Sequence, residues 1–514
     1  MKLKKAAALL CATVMMVGML AGCGGGSDNG AGATDSGNQV SGTEGGNGEI
    51  EEIVFATPVV KTVDMQPIED AINAITEEKI GVRVHIEAIS GGNYTNQIGL
   101  MQSGGEQLDL MGFMGTYSLW LANNQMMSMN DYIDTYASGL REAVGEEFLK
   151  STTSAGSIYA VPTLNGKAAV VNIILRKDLI DELSLPVDQL KQAATMEEYC
   201  ANLDLLTDMF AQIREAHPEY ALVPDSGNSL LFTRVPFVDV LGDNYGVLMP
   251  GEENTVTNLY ESEEFARLLD YAYKWNQAGY ILEDATTTQE SGATYLQNGR
   301  AFGYFTTGEE GAAEQATQST GVEVEAFKLL EPFIGTADVN GLGFALSATS
   351  KHPEAAMKFL NEMYTNPDIV NLLDWGVENV HYVKNGDGTI DFPEGVDANT
   401  TSYGLNMGWF FGNQFLSYTW GEGSDTTVMG RLEENNKNAR YTPVMGFSYD
   451  STKVSTELAA INNVKEQYLP GLECGAVDPQ TELPKFVKAL KAAGLDKVIE
   501  EKQTQLNEWK EANK

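Results

Sequence analysis

The chain has little positive charge, histidine or cysteine. Its 514 residues contain 33 lysines and arginines against 72 aspartates and glutamates, with only 4 histidines and 4 cysteines. The net charge of −39 repels phosphate backbones and anionic lipid headgroups, so we expect no nucleic-acid partner and no direct adhesion to a membrane surface. The hydrophobic content of 43% is typical of a folded protein and not of an acidic disordered chain.

Catalytic signatures are missing from the sequence as well. It contains no HExxH, GxxxxGK[ST] or GxSxG motif, no GxGxxG after a strand, and no CxxC pair at Cys200 or Cys474. Paired acids such as Glu252-Glu253 are typical of solvated surfaces, although a glycosidase also needs two carboxylates. The sequence therefore predicts no enzyme, no cofactor and no metal site, with a secreted carbohydrate-active enzyme as the alternative.

The segment 385–394 imitates an EF-hand calcium loop at several ligand positions. Val383 stands at the first position, however, and offers no side-chain oxygen, while Pro393 lies where the exit helix would begin. The run Asn385-Gly386-Asp387-Gly388 between short apolar stretches also has the composition of a hairpin turn. We predict a β-hairpin and no calcium site.

The N-terminus has the build of an export signal. Three lysines in the first five residues precede the apolar run Ala6–Leu20, which is too short for a membrane span. The sequence Leu20-Ala21-Gly22-Cys23 resembles the bacterial lipobox. The resemblance implies that residues 1–22 are a lipoprotein signal peptide and that Cys23 carries the lipid anchor.

Residues 24–48 are rich in glycine, contain no aromatic residue and form a predicted flexible tether. The folded region is expected to begin near Glu49. Of the cysteines beyond Cys23, Cys200 and Cys474 are far apart in the sequence, which leaves open whether they pair or lie as separate buried thiols.

Strand and helix patterns alternate from there on. Predicted strands cover Ile53–Ala56, Val82–Ile86, Leu108–Phe113 and Ala301–Phe305, and predicted helices cover 68–75 after Pro67, 94–103, 196–215 and 262–278. This rhythm indicates parallel sheets with right-handed crossovers in two lobes. Ligands of such sheets bind beyond the carboxyl ends of strands, so the segments after Phe113 and Phe305 are candidate site loops. The last third is more helical, and its apolar stripes are expected to pack against the body.

Aromatic residues follow several of these strands. Tyr117, Trp120, Tyr304, Trp375 and Trp409 lie among amides, carboxylates and hydroxyls in the sequence. Sugars bind by stacking their C–H faces on such rings while polar groups bond their hydroxyls. Core packing is an equally good interpretation of each ring from the sequence alone.

A series of short motifs resembles one known family. In chain order they are Ser103–Glu106 before Leu108–Leu110, Ile158–Pro162, Asn172–Leu179, Gly343–Ser347 with Lys351–Ala356, Trp375–Tyr382 and Leu490–Asp496. Together with the lipobox they are similar to the bacterial ABC-transporter extracellular solute-binding lipoproteins of family 1, which includes maltodextrin-binding proteins, and to its Firmicutes oligosaccharide-binding subgroup. Asn379 departs from the usual glycine of its motif, and Arg176 from the commoner asparagine.

The resemblance implies an α/β fold of the periplasmic-binding-protein type. This is a two-lobed clamshell in which each lobe is a mainly parallel sheet flanked by helices, with multiple hinge crossings and a helical C-terminal region. We expect the crossings near Pro162–Lys167, Pro332–Asn340 and Thr400–Trp409. The first lobe would then comprise 49–164 and about 335–400, and the second lobe 165–334 and about 401–514.

The resemblance also implies a set of ligand-binding residues. They are Lys61, Asp64, Tyr117, Trp120, Asn165, Arg176, Tyr304, Thr306, Glu309, Trp375, Glu378, His381, Trp409 and Asn413. A buried structural pair is an equally good interpretation of Glu378 and His381.

The implied function is the extracellular substrate-binding component of an ABC importer. The protein would capture a carbohydrate, an oligosaccharide, by closing its two lobes and deliver it to membrane permease subunits. It would act as a monomer on the outer face of the bacterial cytoplasmic membrane. The alternatives are the secreted enzyme, a receptor without transport, and a binder of peptide or another polar solute.

We predict that Cys23→Ala releases the protein from the membrane and leaves ligand binding unchanged, because only the acylated cysteine holds the chain there. Fractionation of expressing cells measures this release, with Cys200→Ala as the control that stays in the membrane fraction. Retention of the Cys23 variant in the membrane fraction would contradict the lipobox interpretation.

Overall fold

The computed structural model describes residues 50–168, 170–225, 229–231, 235–288, 290–308, 311–398 and 400–513. The predicted signal peptide, Cys23 and the tether 24–48 lie outside these residues, as does Glu309. All elements below belong to the unit Glu49–Lys514.

The strands of the described residues are mostly short. They are β1 (Glu51–Val59), β2 (Val82–Ser90), β3 (Leu110–Met114), β4 (Thr153–Ser154), β5 (Ser157–Ile158), β6 (Val161–Pro162), β7 (Val170–Arg176), β8 (Ala221–Val223), β9 (Gly246–Val247), β10 (Thr257–Asn258), β11 (Ala301–Gly308), β12 (Val324–Lys328), β13 (Phe333–Ile334), β14 (Leu342–Leu346), β15 (Val383–Lys384), β16 (Ile390–Asp391) and β17 (Arg440–Tyr441).

The helices are α1 (Gln66–Ile80), α2 (Tyr94–Gly104), α3 (Tyr117–Ala122), α4 (Asn130–Tyr136), α5 (Ser138–Lys150), α6 (Lys177–Leu183), α7 (Met196–Ala216), α8 (Glu263–Gln277), α9 (Gly292–Gln297), α10 (Ala312–Thr320), α11 (Thr336–Asn340), α12 (Pro353–Thr365), α13 (Pro367–Asp374), α14 (Val428–Asn438), α15 (Ser455–Glu473), α16 (Pro479–Ala492) and α17 (Leu495–Ala512). The predicted strands and helices are therefore confirmed.

Local signals explain where several helices start: proline lies in the first turn of α1 and α12, and Thr195 and Glu198 form a capping box on α7.

The first lobe is built on a sheet with the strand order β2-β1-β3-β14-β6. Burial alternates along β2: Val82, Val84 and Ile86 are buried while Arg83 and His85 are exposed. The apolar face of this sheet packs with α1, α4, α5, α12 and α13 into one core. Burial of this continuous apolar surface is what stabilises the lobe.

The second lobe is built on a sheet with the order β12-β7-β11-β8. Its core includes apolar residues of α6, α7 and α8 and also of α15, α16 and α17. Phe486, Leu490 and Val498 are fully buried there, so the C-terminal helices pack against the body as expected.

The two-lobed α/β class is confirmed, but the strand pairing differs from the expected mainly parallel sheets. β1 runs parallel to β2 and β3, whereas β14 runs antiparallel to β3, and β7 antiparallel to both β11 and β12. These antiparallel directions follow from the edge at which the chain enters each sheet. β7 begins at Val170 opposite Gly308, the end of β11, and β14 begins at Leu342 opposite Met114, the end of β3. A strand that enters at the edge where its neighbours end must run against them.

In the described residues, the chain passes between the sheets three times. The first crossing joins β6 to β7, and the second joins β12 to β14 through β13 and α11, near the expected positions. The third differs from the expectation, because Tyr403, Met407 and Phe410 are buried in the first core. Phe410 packs 5.2 Å from Phe344 between ring centroids, which holds the segment 401–411 in the first lobe. The chain reaches the second core only after β17, so the boundary expected near residue 401 is wrong.

Gly446 lies where the third crossing packs against the second crossing and against α5 of the first lobe. Its N–H donates to Oγ1 of Thr336 in α11 at 3.1 Å. Its φ of +101° is a conformation that side chains rarely adopt, and an added Cβ would lie 2.5 Å from the carbonyl oxygen of Lys150. Only glycine fits this passage between the lobes.

The predicted hairpin around the turn 385–388 is also confirmed. β15 pairs antiparallel with β16, and the N–H of Asn385 donates to the carbonyl of Thr389 at 2.8 Å. Asp387 accepts from Thr389 within the turn, and it also accepts from the N–H of Gly423 outside the hairpin. Among the described residues there is no group of three or more potential metal ligands. Within those same parts of the chain, the helices are all too short or too polar to span a bilayer.

We predict that Gly446→Ala lowers the free energy of unfolding by more than Gly251→Ala. Both substitutions impose a backbone strain of roughly 1–3 kcal/mol at a positive φ, but only the Cβ at position 446 also meets a backbone oxygen, since Gly251 has open space around it. Urea denaturation of both variants measures the difference. Equal losses would contradict the close packing of the third crossing.

Candidate ligand site between the lobes

A cavity of about 330 Å³ lies where the two lobes and two of the crossings meet. Its polar lining includes Tyr117 and Ser118 of the first lobe, Asp239 of the second, Asn340 of the second crossing, and Ser448 and Tyr449 of the third. The volume is at the lower end of ordinary ligand cavities, roughly 300–1,000 Å³. Both lobes contribute walls, as a site that couples ligand binding to lobe closure requires.

The first-lobe wall follows the carboxyl end of β3. Gly115, at a φ of +71°, turns the chain there, and its N–H donates to the carbonyl of Gly341 at 2.6 Å. Helix α3 starts two residues later with Tyr117 and Ser118. This loop is the one that the parallel-strand rule predicted as a site.

The second-lobe wall is the loop 237–242. Asp239 exchanges two backbone hydrogen bonds with Leu248, and its Oδ1 accepts from the N–H of Leu241 at 3.0 Å. Phe237 and Leu241 have φ values of 64° and 49°. Non-glycine residues in this region store strain, which clusters at ligand sites because the surrounding structure must hold it.

The third wall consists of Ser448 and Tyr449, and behind it lies Lys502 of α17, which has no exposed surface. Its ammonium group donates to Oδ1 of Asp243 at 2.6 Å and to the carbonyl of Gly246 at 2.9 Å. It also lies 4.7 Å from the ring centroid of Tyr449, a cation–π contact. Burial lowers the pKa of Lys502, and Asp243 opposes that shift. Ser448 reaches across to the first lobe, with its Oγ 2.5 Å from that of Ser118.

Three side chains of this cavity carry a buried polar atom without a hydrogen-bond partner among the described residues. The atoms are Oη of Tyr117, Oδ2 of Asp239 and Oη of Tyr449. Burial raises the pKa of both tyrosines, which are therefore neutral hydroxyls. Buried polar groups are normally bonded, and a ligand with hydroxyl groups can supply the missing partners.

A second cavity of about 440 Å³ lies within the second lobe, between β11, α9 and α10. Two predicted residues, Tyr304 and Thr306, line it. Thr306 donates to Oδ2 of Asp225 at 2.7 Å, and burial raises the pKa of Tyr304 to about 12. Glu309, the third prediction on this segment, lies outside the described residues.

Three other predicted residues come together at the first crossing, and the two amide side chains among them bond backbone groups. Nδ2 of Asn165 donates to the carbonyl of Trp409 at 2.7 Å. Asn413 donates to the carbonyl of Tyr364 and accepts from the N–H of Phe415. Trp409 itself is half-buried. The two amides thus tie the crossing to the first lobe.

Glu378 and His381 do not form the structural pair considered from the sequence. Glu378 pairs with Lys384 at 3.0 Å. His381 is buried, its Nδ1 accepts from the N–H of Val377 at 2.9 Å, and Nε2 lies 3.2 Å from Oγ of Ser402. Burial lowers the pKa of His381. These contacts give the histidine a structural role in its own loop.

The predicted residues Lys61 and Asp64 are exposed on the loop after β1. Asp64 is tied to the same part of the first lobe as His381, because its N–H donates to the carbonyl of Ser402 at 3.1 Å. Neither Lys61 nor Asp64 lines the two cavities described above.

Two predicted residues lie where a ligand between the lobes would not meet them. Trp120 has no exposed surface and packs 6.1 Å from Phe113 in a core cluster. Arg176 ends β7 at the edge opposite to the crossings, forms an ion pair with Asp178 and covers the ring of Tyr220 at 4.6 Å. Both assignments are corrected by this packing.

Asp239, Asn340, Ser448 and Tyr449 were not anticipated from the sequence. Ser448 and Tyr449 follow Gly446-Phe447 just ahead of the C-terminal helices, and a glycine–aromatic loop at that place was the one available signal. Asn340 ends a segment that was expected as a crossing but was not chosen as a ligand contact. For Asp239 there was no signal, because it does not follow a predicted strand.

A buried carboxyl group supports the loop around Trp375. Asp374 accepts from Oγ of Ser417 at 2.5 Å, and Ser417 in turn accepts from Nε1 of Trp375 at 3.0 Å. Burial raises the pKa of Asp374 to about 6, against the opposing bonds from Ser417 and two backbone groups. Trp375 lies 4.9 Å from Trp420 in the same cluster, so its ring is part of a packed aromatic group.

We predict that Asp374 makes the native state less stable as the pH rises from its ordinary pKa of 3.8 to about 6, because the folded chain favours the protonated form. Asp374→Asn removes this dependence, so the stability of the variant relative to the wild type increases over that interval and then levels off. Urea denaturation across the interval measures it, with the exposed Asp208→Asn as control. A constant difference between variant and wild type would contradict the prediction.

Comparison with known proteins agrees with the fold and the motifs. Residues 61–369 match the bacterial extracellular solute-binding proteins, and residues 443–511 match a domain of unknown function, DUF3502. A protein of Streptococcus pneumoniae named carbohydrate ABC transporter substrate-binding protein is 25% identical over 536 residues, covering 98% of each chain.

Solved structures of the same bacterium share the fold. The N-glycan transport solute-binding protein NgtS has a TM-score of 0.74 at 22% identity, covering 90% of this chain and 100% of that one. The substrate-binding protein FusA in complex with kestose has a TM-score of 0.53 at 15% identity, covering 90% and 100%. The match at 61–369 spans more than half of the chain, and it confirms the resemblance drawn from the motifs. The chain therefore belongs to the family of bacterial extracellular solute-binding proteins.

Proposed function

We propose that this protein is the substrate-binding component of an ABC importer, which captures an oligosaccharide between its lobes and delivers it to membrane permease subunits. The observation that carries the proposal is the inter-lobe cavity with its three unpartnered polar atoms on Tyr117, Asp239 and Tyr449. Hydroxyl groups of a sugar can bond all three, while the tyrosine rings accept its C–H faces.

The placement of these groups couples binding to closure. Tyr117 belongs to the first lobe, Asp239 to the second and Tyr449 to the third crossing. A ligand that bonds all of them interacts more strongly with the closed arrangement than with an open one, and this difference is what shifts the equilibrium. The closed form is then the one presented to the permease.

The relatives support the ligand class. One is named a carbohydrate ABC transporter substrate-binding protein, and NgtS has been solved in complex with Man5GlcNAc. Exposed apolar residues at the carboxyl ends of β1 and β3, Val60 and Met114, add surface suited to sugar rings. The relatives are named for binding and not for catalysis, which supports a non-enzymatic role.

The remaining assignments follow from the N-terminus and stay proposals. The lipobox supports a lipid anchor at Cys23 on the outer face of the cytoplasmic membrane. The tether 24–48 would keep the binding unit, acting as a monomer, at high effective concentration near its permease. Tyr304, Thr306, Lys61, Asp64 and Trp409 are proposed further contacts for an extended ligand.

We predict that the melting temperature rises with at least one sugar of a panel containing Man5GlcNAc, Man1GlcNAc and kestose, because ligand at 100 times Kd adds about 2.7 kcal/mol to the native state. Tyr117→Phe removes one unpartnered hydroxyl and should weaken binding about tenfold, whereas Tyr280→Phe, outside the cavity, should not. Calorimetric titration measures both variants.

Two results would contradict the proposal. A shift with peptides and none with any sugar would replace the ligand class, and release of reducing sugar from the panel by the purified protein would indicate the alternative enzyme. If Tyr117→Phe binds such a sugar as tightly as the wild type does, the binding site does not lie in this cavity.

A further inference from the structure

The charges around the inter-lobe cavity are strongly one-sided. Among the described residues that line it, Asp239 is the one charged side chain, and no lysine, arginine or histidine is present. Asp239 is 8% exposed, and its Oδ2 has no partner in the described parts of the chain. A carboxylate oxygen in this position accepts a hydrogen bond and repels a second anion.

The cation beneath the cavity wall is not available to a ligand. Lys502 is fully buried, and its ammonium group is already bonded to Asp243 and to the carbonyl of Gly246. The ring of Tyr449 covers it at 4.7 Å, and Tyr449 is the residue that lines the cavity. The ammonium group of Lys502 is thus bonded to Asp243, whereas Oδ2 of Asp239 has no hydrogen-bond partner in the described parts of the chain.

Two of the residues that produce this arrangement come from the C-terminal region. Tyr449 and Lys502 both lie within 443–511, the region matched by the domain of unknown function. Asp243 and Asp239 come from the second lobe, and electrostatic attraction to both carboxylates favours the charged form of Lys502. The C-terminal region therefore does more than fill the second core, because it supplies both Lys502 and the Tyr449 ring that lies between this cation and the cavity.

We propose that the cavity selects uncharged sugars against acidic ones, that Asp239 is the selecting residue, and that the region 443–511 maintains this selectivity by covering Lys502 with Tyr449. The inference rests on the proposed function and adds to it the chemical class of the ligand. Neutral units donate a hydroxyl to Oδ2 of Asp239. A uronate, sialate or phosphate at the same place meets a carboxylate, and no cation lines the cavity to bond the ligand's own charge.

The experiment compares Man5GlcNAc and kestose with the same two sugars oxidised at C6 to uronates, by calorimetric titration. Wild-type protein should bind the neutral form of its ligand at least about tenfold more tightly than the acidic form, since one unfavourable charge contact of this kind exceeds a factor of ten. Asp239→Asn keeps the oxygen that accepts from Leu241 and removes the charge. It should lower the ratio of the Kd of the acidic form to the Kd of the neutral form about tenfold.

Two further variants separate selectivity from loss of structure. Tyr449→Phe keeps the ring over Lys502 and should keep the preference for the neutral form, while Tyr449→Ala uncovers the ammonium group and should narrow it. Asp208→Asn, an exposed carboxylate on α7, is the charge-matched control and should leave the ratio unchanged. Thermal melting verifies that each variant is folded, and the unmodified protein alone already tests the neutral–acidic ratio.

The outcomes distinguish the two proposals. Equal or tighter binding of the acidic form by the wild type overturns the selectivity inference and leaves oligosaccharide capture in place. An unchanged ratio in folded Asp239→Asn also overturns it. No binding of any neutral or acidic sugar overturns the proposed function itself, and the inference with it.

Discussion

The rest of the structure depends on where the chain passes from one sheet to the other. It does so at the edge of each sheet that adjoins the crossings. β7 and β14 both start at this edge, opposite the last residues of β11 and β3. Their direction, and with it the mixed character of both sheets, follows from where they enter. The same edge collects the carboxyl ends of β1 and β3, so the crossings and the ligand-facing loops are necessarily neighbours.

The hinge is held by polar side chains and by one glycine. Asn436 of α14 accepts from the N–H groups of Lys167 and Ala168, and its amide donates to the carbonyl of Asn165. Such bonds satisfy the backbone of a segment that belongs to neither sheet. At the third crossing the space is too small for a side chain, and glycine at position 446 solves the problem by having none.

Several expectations failed because the sequence does not distinguish a buried ring from a ligand-facing one. Trp120 follows β3, next to the ligand cavity, and its ring is of the kind on which sugars stack. It packs instead in a core cluster with Phe113 and Tyr94. The segment 401–411 is equally aromatic, and its rings fill the gap against α12 and β14. Burial depends on which surfaces meet, and those surfaces come from different elements of the chain.

The sequence by itself determined the local elements and the family. Periodicity, proline placement and capping residues decide where α1, α7 and α12 begin, and an ordered series of short motifs is enough to identify the solute-binding family. Only the tertiary structure decided the cavity. It brings Tyr117, Asp239 and Tyr449 together from three distant segments, and it covers Lys502 so that its charge is hidden. Local signals act over a few residues, whereas the character of a site between lobes arises from long-range packing and electrostatics that no short stretch encodes.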